Sequence, residues 1–130
     1  MMAKNKKTYG GFRAAFSGLK ETLIFERSFK TMTMIAALVA TAMFYFPTSR
    51  LEKVVLLLAI LSVLILELIN SAVERIMDVV TSEHDDRIRV IKDLMAAIVL
   101  LASFGAAIIG ILIFLPYIYG LFILSSPLPL

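Results

Sequence analysis

The sequence predicts an all-α membrane protein in which three transmembrane helices follow an amphipathic N-terminal helix lying in the interface. Three observations predict it. Of the 130 residues 60% are hydrophobic and the mean hydropathy is +0.92, more apolar surface than a soluble domain of this size can bury. Leu94–Leu115 runs for 22 residues with Ser103 as its only non-apolar side chain, and a helical crossing takes about 20. The 13 Lys and Arg residues cluster from Lys4 to Lys30 and from Arg75 to Lys92, with only Arg50 and Lys53 between and none after Lys92. Cytoplasmic loops carry the excess of Lys and Arg, so the N-terminus and the second loop are expected inside, the first loop and the C-terminus outside. Three crossings fit that parity, in a single domain over 1–130 without internal repeats.

Residues 1–7 form a basic tail. No cleavable signal is expected, because the first 30 residues hold no uninterrupted apolar segment before an A-x-A site. Over 9–29, Phe12, Phe16, Leu19 and Leu23 fall within about 60° of one another on a helix, with Arg13, Lys20, Glu21 and Arg27 off that stripe. Such a helix lies in the cytoplasmic interface with its basic residues toward anionic headgroups. Glu26 falls on the apolar stripe, either as the frayed end of the helix or as an acid aimed inward at a partner.

The first membrane helix is expected over 30–47, built on Met32–Phe46 and ended by Pro47. The second, over 53–80, starts in Val54–Leu66, whose only non-apolar residue is Ser62. That segment alone is too short to span, so the helix must run on through Glu67, Asn70 and Ser71. Thr81–Asp86 is a polar loop. The third helix, over 93–115, is expected to stop at Pro116 and leave a short tail over 116–130. Ala102, Ala106 and Gly110 recur at four-residue spacing and allow close helix contact, within one chain or between chains.

The chemistry centres on the second helix. Taking Glu67 as zero, Asn70 falls at about −60°, Ser71 at about +40°, Glu74 at about −20° and Asp78 at about +20°. Acids and amides at membrane depth are costly, and this stripe must face protein, water or a ligand. A polar seam joining helices is the plain alternative, but carboxylates along one seam repel unless a cation sits between them. Glu67 and Glu74 lie about 10 Å apart along the axis at 1.5 Å per residue, too far to share one ion easily. Glu67, the deeper, suits a general base. Glu74, nearer the surface, suits a metal ligand that needs a second carboxylate from elsewhere. Oxygen ligands suit Mg²⁺ bridged to substrate phosphates, and Lys92 at a helix start suits a phosphate oxygen. These parts describe phosphoryl transfer to a lipid hydroxyl. The absence of Cys excludes disulfides, redox motifs and thiolate metal sites, and the six glycines make neither a P-loop nor G-x-G-x-x-G.

ELINSAVERIMD (Glu67–Asp78), followed fourteen residues later by Lys92-Asp93 and an apolar helix, resembles the bacterial integral membrane diacylglycerol kinases and undecaprenol kinases. The likeness runs from about Phe12 to Pro116. AFSGLKETLIFERSF and GILIFLPY are closer to the undecaprenol kinase branch. The resemblance implies a homotrimer with active sites shared between protomers, Mg-ATP as donor, and a role in phospholipid or cell-envelope lipid recycling at the bacterial plasma membrane. It implies Glu67 as the general base and Glu26 with Glu74 as Mg²⁺ ligands. It implies Asn70, Asp78, Glu83, Lys92 and Asp93 at the nucleotide, with Ser71 against the substrate. The chain departs from the family where Ser28 replaces a usual Asn and Met32 a usual His, and His84 reads as a solvated loop residue. A small proton-coupled exporter would need only Glu67 and leave Glu74, Asp78, Lys92 and Asp93 without a task. A scaffold subunit would need only the Ala/Gly seam.

Overall fold

The computed structural model describes residues 10–80 and 85–125. The described residues form helices α1 (Gly11–Phe25), α2 (Arg27–Tyr45), α3 (Arg50–Val80) and α4 (Asp86–Ser125), without strands. Arg27–Tyr45, Arg50–Val80 and Asp86–Leu124 are each long and apolar enough to cross a membrane. With the short α1 this is the all-helical, three-span architecture that hydropathy predicts. The 31 residues of α3 and 40 of α4 reach about 46 and 60 Å at 1.5 Å per residue, beyond a hydrocarbon core of about 30 Å. Both helices therefore carry polar ends out of the bilayer. The packing centres on α3, which lies against both α2 and α4, through Phe29, Met43, Leu56, Val63 and Val99.

Each boundary has a local cause. The expected helix over 9–29 breaks at Glu26, whose backbone is extended (φ −92°, ψ 111°). Its N–H still closes α1 on the Thr22 carbonyl at 2.8 Å, while its own carbonyl accepts the Lys30 N–H at 3.1 Å and opens α2. Arg27–Phe29 thus belong to the first membrane helix, where Phe29 is buried. Phe46 is driven extended ahead of Pro47 (φ −82°, ψ 150°), and the Thr48 hydroxyl donates to the Met43 carbonyl at 2.8 Å to close α2. Helix α3 starts at Arg50, ahead of the expected 53, because Ser49 and Glu52 form a capping box. The Ser49 N–H donates to Glu52 Oε2 at 2.7 Å and the Glu52 N–H to Ser49 Oγ at 3.2 Å.

Pro116 does not end α4, contrary to expectation: the helix continues through it to Ser125. Proline removes one N–H, the one that would bond the Leu112 carbonyl. The helix is kept on both sides of the proline, so the loss of one bond does not stop it. Beside it, the Tyr117 hydroxyl donates to Glu52 Oε2 at 2.9 Å, and Phe46 stacks near Phe114 and Tyr117, with centroids 5.8 and 6.0 Å away. These contacts join α4 to the start of α3 and to the end of α2. Three membrane hydroxyls satisfy themselves: Thr33, Thr41 and Ser62 donate to carbonyls four residues back, each at 2.8 Å, whereas the buried Ser103 Oγ has no hydrogen-bond partner among the described residues. At Gly110 the small-residue stripe makes no tight contact within the chain. A Cβ placed on Gly110 would meet nothing within 4 Å.

Candidate functional site

The polar stripe of α3 meets α2 at Glu67 and α4 at Asp78, and it is graded in burial. Glu67 is 1% exposed and Ser71 5%, Asn70 and Glu74 are half-buried, and Asp78 is exposed. A helix repeat of 3.6 residues places these five on one face, so the sequence spacing alone produces a track from membrane depth to the aqueous end. The deepest group has a partner from another helix: the Ser28 hydroxyl, in the first turn of α2, donates to Glu67 Oε1. One turn along α3 from Glu67 stand Val63 and Leu64, and one turn along α2 from Ser28 stands Met32. All three line an apolar cleft of about 510 Å³ between α2, α3 and α4, floored by Ala106, Ala107 and Gly110. The buried acid therefore stands at one end of a hydrocarbon-lined space.

Toward the water the groups pair differently. Asn70 Nδ2 donates to Glu74 Oε1 at 3.3 Å, while Asn70 Oδ1 is buried with no hydrogen-bond partner. A buried amide oxygen without a donor is costly, and here the amide turns its Nδ2, not this oxygen, to the carboxylate. Glu26 is aimed inward, not frayed. Arg75 Nε and Nη2 both donate to its Oε1, at 3.3 and 3.2 Å, and Arg75 Nη1 donates to Glu21 at 3.1 Å. Glu26 Oε2 is left without a hydrogen bond among the described residues. No set of three or more His, Cys, Asp or Glu converges as a metal site among the described residues. Any ion here would take the rest of its shell from water or phosphate oxygens, as Mg²⁺ commonly does.

At the aqueous end Lys92 Nζ donates to Asp78 Oδ1 at 2.7 Å and bridges α4 to α3. Asp93 points elsewhere: Arg89 on its own helix lies 3.5 Å from it. Asp85 begins α4 by accepting the Arg87 N–H on Oδ1 at 2.8 Å and the Arg87 guanidinium on Oδ2 at 2.8 Å. Both donors hold the Asp85 carboxyl below the usual carboxylate range, the guanidinium more than the N–H. Glu83 and His84 lie outside the described residues. The structure thus brings Glu67, Asn70, Ser71 and Glu74 onto one face, with Glu26 tied to the same helix by Arg75 and Lys92 tied to it by Asp78. Sequence reasoning missed Ser28 and Arg75. Neither carries a periodic signal, since Ser28 is a lone hydroxyl on another helix and Arg75 lies about 80° from Glu67, beside the stripe.

Residues 13–114 match the family described as prokaryotic diacylglycerol kinase. The chain is 33% identical over 108 residues to the undecaprenol kinase of Bacillus subtilis, covering 83% of this chain and 88% of that protein. It is 31% identical over 113 residues to the diacylglycerol kinase of Synechocystis sp., covering 86% of this chain and 65% of that protein. With three membrane-crossing helices and a matched segment that contains the whole polar stripe, this multi-pass membrane protein belongs to the prokaryotic diacylglycerol kinase family of lipid kinases.

Proposed function

We propose that the protein transfers the γ-phosphoryl group of ATP to the hydroxyl of a membrane lipid, diacylglycerol or undecaprenol, with Glu67 as general base. The observation that carries this is a carboxylate only 1% exposed at the head of an apolar cleft, where a lipid hydroxyl and a base can meet. The lipid chain lies along the cleft past Val63 and Met32, which brings its hydroxyl to Glu67. Glu67 takes the hydroxyl proton as the lipid oxygen bonds to the γ-phosphorus and the bond from that phosphorus to the ADP oxygen breaks. Glu74 and Glu26 would hold Mg²⁺, with the unpartnered Asn70 Oδ1 one turn from Glu74 on the same helix. Bound there, the ion would supply positive charge to the transferring phosphate oxygens. Lys92, oriented by Asp78, contacts the polyphosphate, with Asp93 and Glu83 at the nucleotide and Ser71 against the acceptor.

The protein works as a trimer in the bacterial plasma membrane, with its N-terminus in the cytoplasm and sites completed between neighbours. The Lys and Arg distribution and the uncovered apolar stripe of α1, where Phe12 is 97% exposed, support this placement. The test is transfer from labelled ATP in detergent micelles, with diacylglycerol and undecaprenol offered separately, with and without Mg²⁺. Label should enter one lipid, require the ion, and fall by about 10² to 10⁴-fold in Glu67→Gln while ATP binding persists. Absence of labelled lipid from either acceptor would refute the assignment.

A further inference from the structure

We infer that Ser28 is a positioning residue for the base: its hydroxyl holds one oxygen of Glu67 so that the other faces the acceptor. This rests on Glu67 being the general base. Ser28 donates to Oε1, whereas Oε2 takes no hydrogen bond among the described residues. A carboxylate has four lone-pair positions and free rotation about its last bond. Pinning one oxygen with a charge-assisted bond fixes the plane in which the second presents its lone pairs. Without that bond the carboxylate stays in place but loses its aim, and aim governs proton transfer within a bound complex.

The placement of Ser28 supports this role. Ser28 sits two residues beyond the break at Glu26, in the opening turn of α2, so the joint that turns Glu26 toward α3 also delivers the hydroxyl. It is exposed, although the carboxylate it binds is buried, so the contact lies at the rim of the site. It stands one turn from Met32, and Glu67 one turn from Val63, both on the cleft wall. The Ser28–Glu67 bond therefore bridges the head of the cleft, where the acceptor hydroxyl must arrive.

The experiment compares Ser28→Ala, Ser28→Thr and Ser28→Cys, each alone and combined with Glu67→Gln, using the full chain in micelles. We expect Ser28→Ala to lower kcat about tenfold with KM for ATP and the thermal midpoint unchanged. Ser28→Thr, which keeps the donor, should recover most of the rate, and Ser28→Cys, a weak donor of similar size, should not. In the Glu67→Gln background Ser28→Ala should cost nothing further. Wild-type kcat in both Ser28→Ala and Ser28→Cys overturns the inference, as does an equal tenfold loss in the Glu67→Gln background. Full activity of Glu67→Gln itself would instead remove the base, and with it the proposed mechanism.

Discussion

Replacing Gly110 with Ala tests whether the small-residue stripe of α4 packs against a backbone. Within the chain a Cβ there meets nothing within 4 Å, and Gly110 lines the cleft with Ala106. The methyl group therefore causes no collision, and the substitution removes the conformational freedom of a glycine inside a helix. That is worth about 0.8–1 kcal/mol in favour of Ala. For a chain of 130 residues this corresponds to a rise of roughly 3–6 °C in thermal midpoint, between the values for smaller and larger domains. The assay is thermal unfolding in micelles, paired with crosslinking to follow assembly. A lower midpoint or loss of crosslinked oligomer would refute the reasoning, because it would mean that another chain's backbone approaches Gly110. The bulkier Gly110→Leu extends the test to function. It should raise KM for the lipid while leaving KM for ATP unchanged, because its side chain enters the space assigned to the acceptor.

Glu26→Gln and Glu74→Gln should each raise the Mg²⁺ concentration needed for half-maximal rate, and the double variant should lose less than the two single losses combined. Full additivity in that cycle would assign them to separate sites. Lys92→Gln should raise KM for ATP about tenfold, and Asp78→Asn less, since Asp78 acts by orienting the ammonium group; equal KM in wild type and Lys92→Gln would remove Lys92 from the nucleotide. Because the folded pKa of Asp85 is depressed, its stabilisation of the first turn of α4 is complete above the unfolded value of about 3.9 and is lost as pH falls through the folded value. Protection of the Arg87 amide against exchange should fall in that acidic window and stay flat from pH 5 to 7.

The α3 stripe was legible because one period governs it. A helix that must be long enough to cross puts Glu67, Asn70, Ser71, Glu74 and Asp78 on one face whatever packs against it. The inward aim of Glu26 was open on its own segment, since the same angle fits a frayed end, and Arg75 decides it across two elements. Ser28 could not be read as the partner of Glu67, because 39 residues separate them and only tertiary contact selects a hydroxyl on another helix. The start of α3 was readable but hydropathy hid it. Ser49-x-x-Glu52 is a capping box, whereas an apolar window begins only at Val54. Pro116 misled for a physical reason: a proline removes one backbone bond without forbidding the helix, and contacts of Phe114 and Tyr117 with Phe46 and Glu52 hold the chain on either side of it.

The self-satisfied hydroxyls of α2 and α3 bear on how the chain enters the bilayer. Thr33, Thr41 and Ser62 each carry their acceptor on their own helix, so they can leave water as soon as that helix forms. Glu67 cannot, since its donor stands on α2. An isolated α3 would bring an unpartnered acid into hydrocarbon, whereas α2 and α3 joined by the 46–49 turn bring Ser28 and Glu67 in together. The α2–α3 hairpin is thus the smallest unit of this protein that can be handed from the translocation machinery to lipid with that acid already bonded, and α4 can follow on its own apolarity.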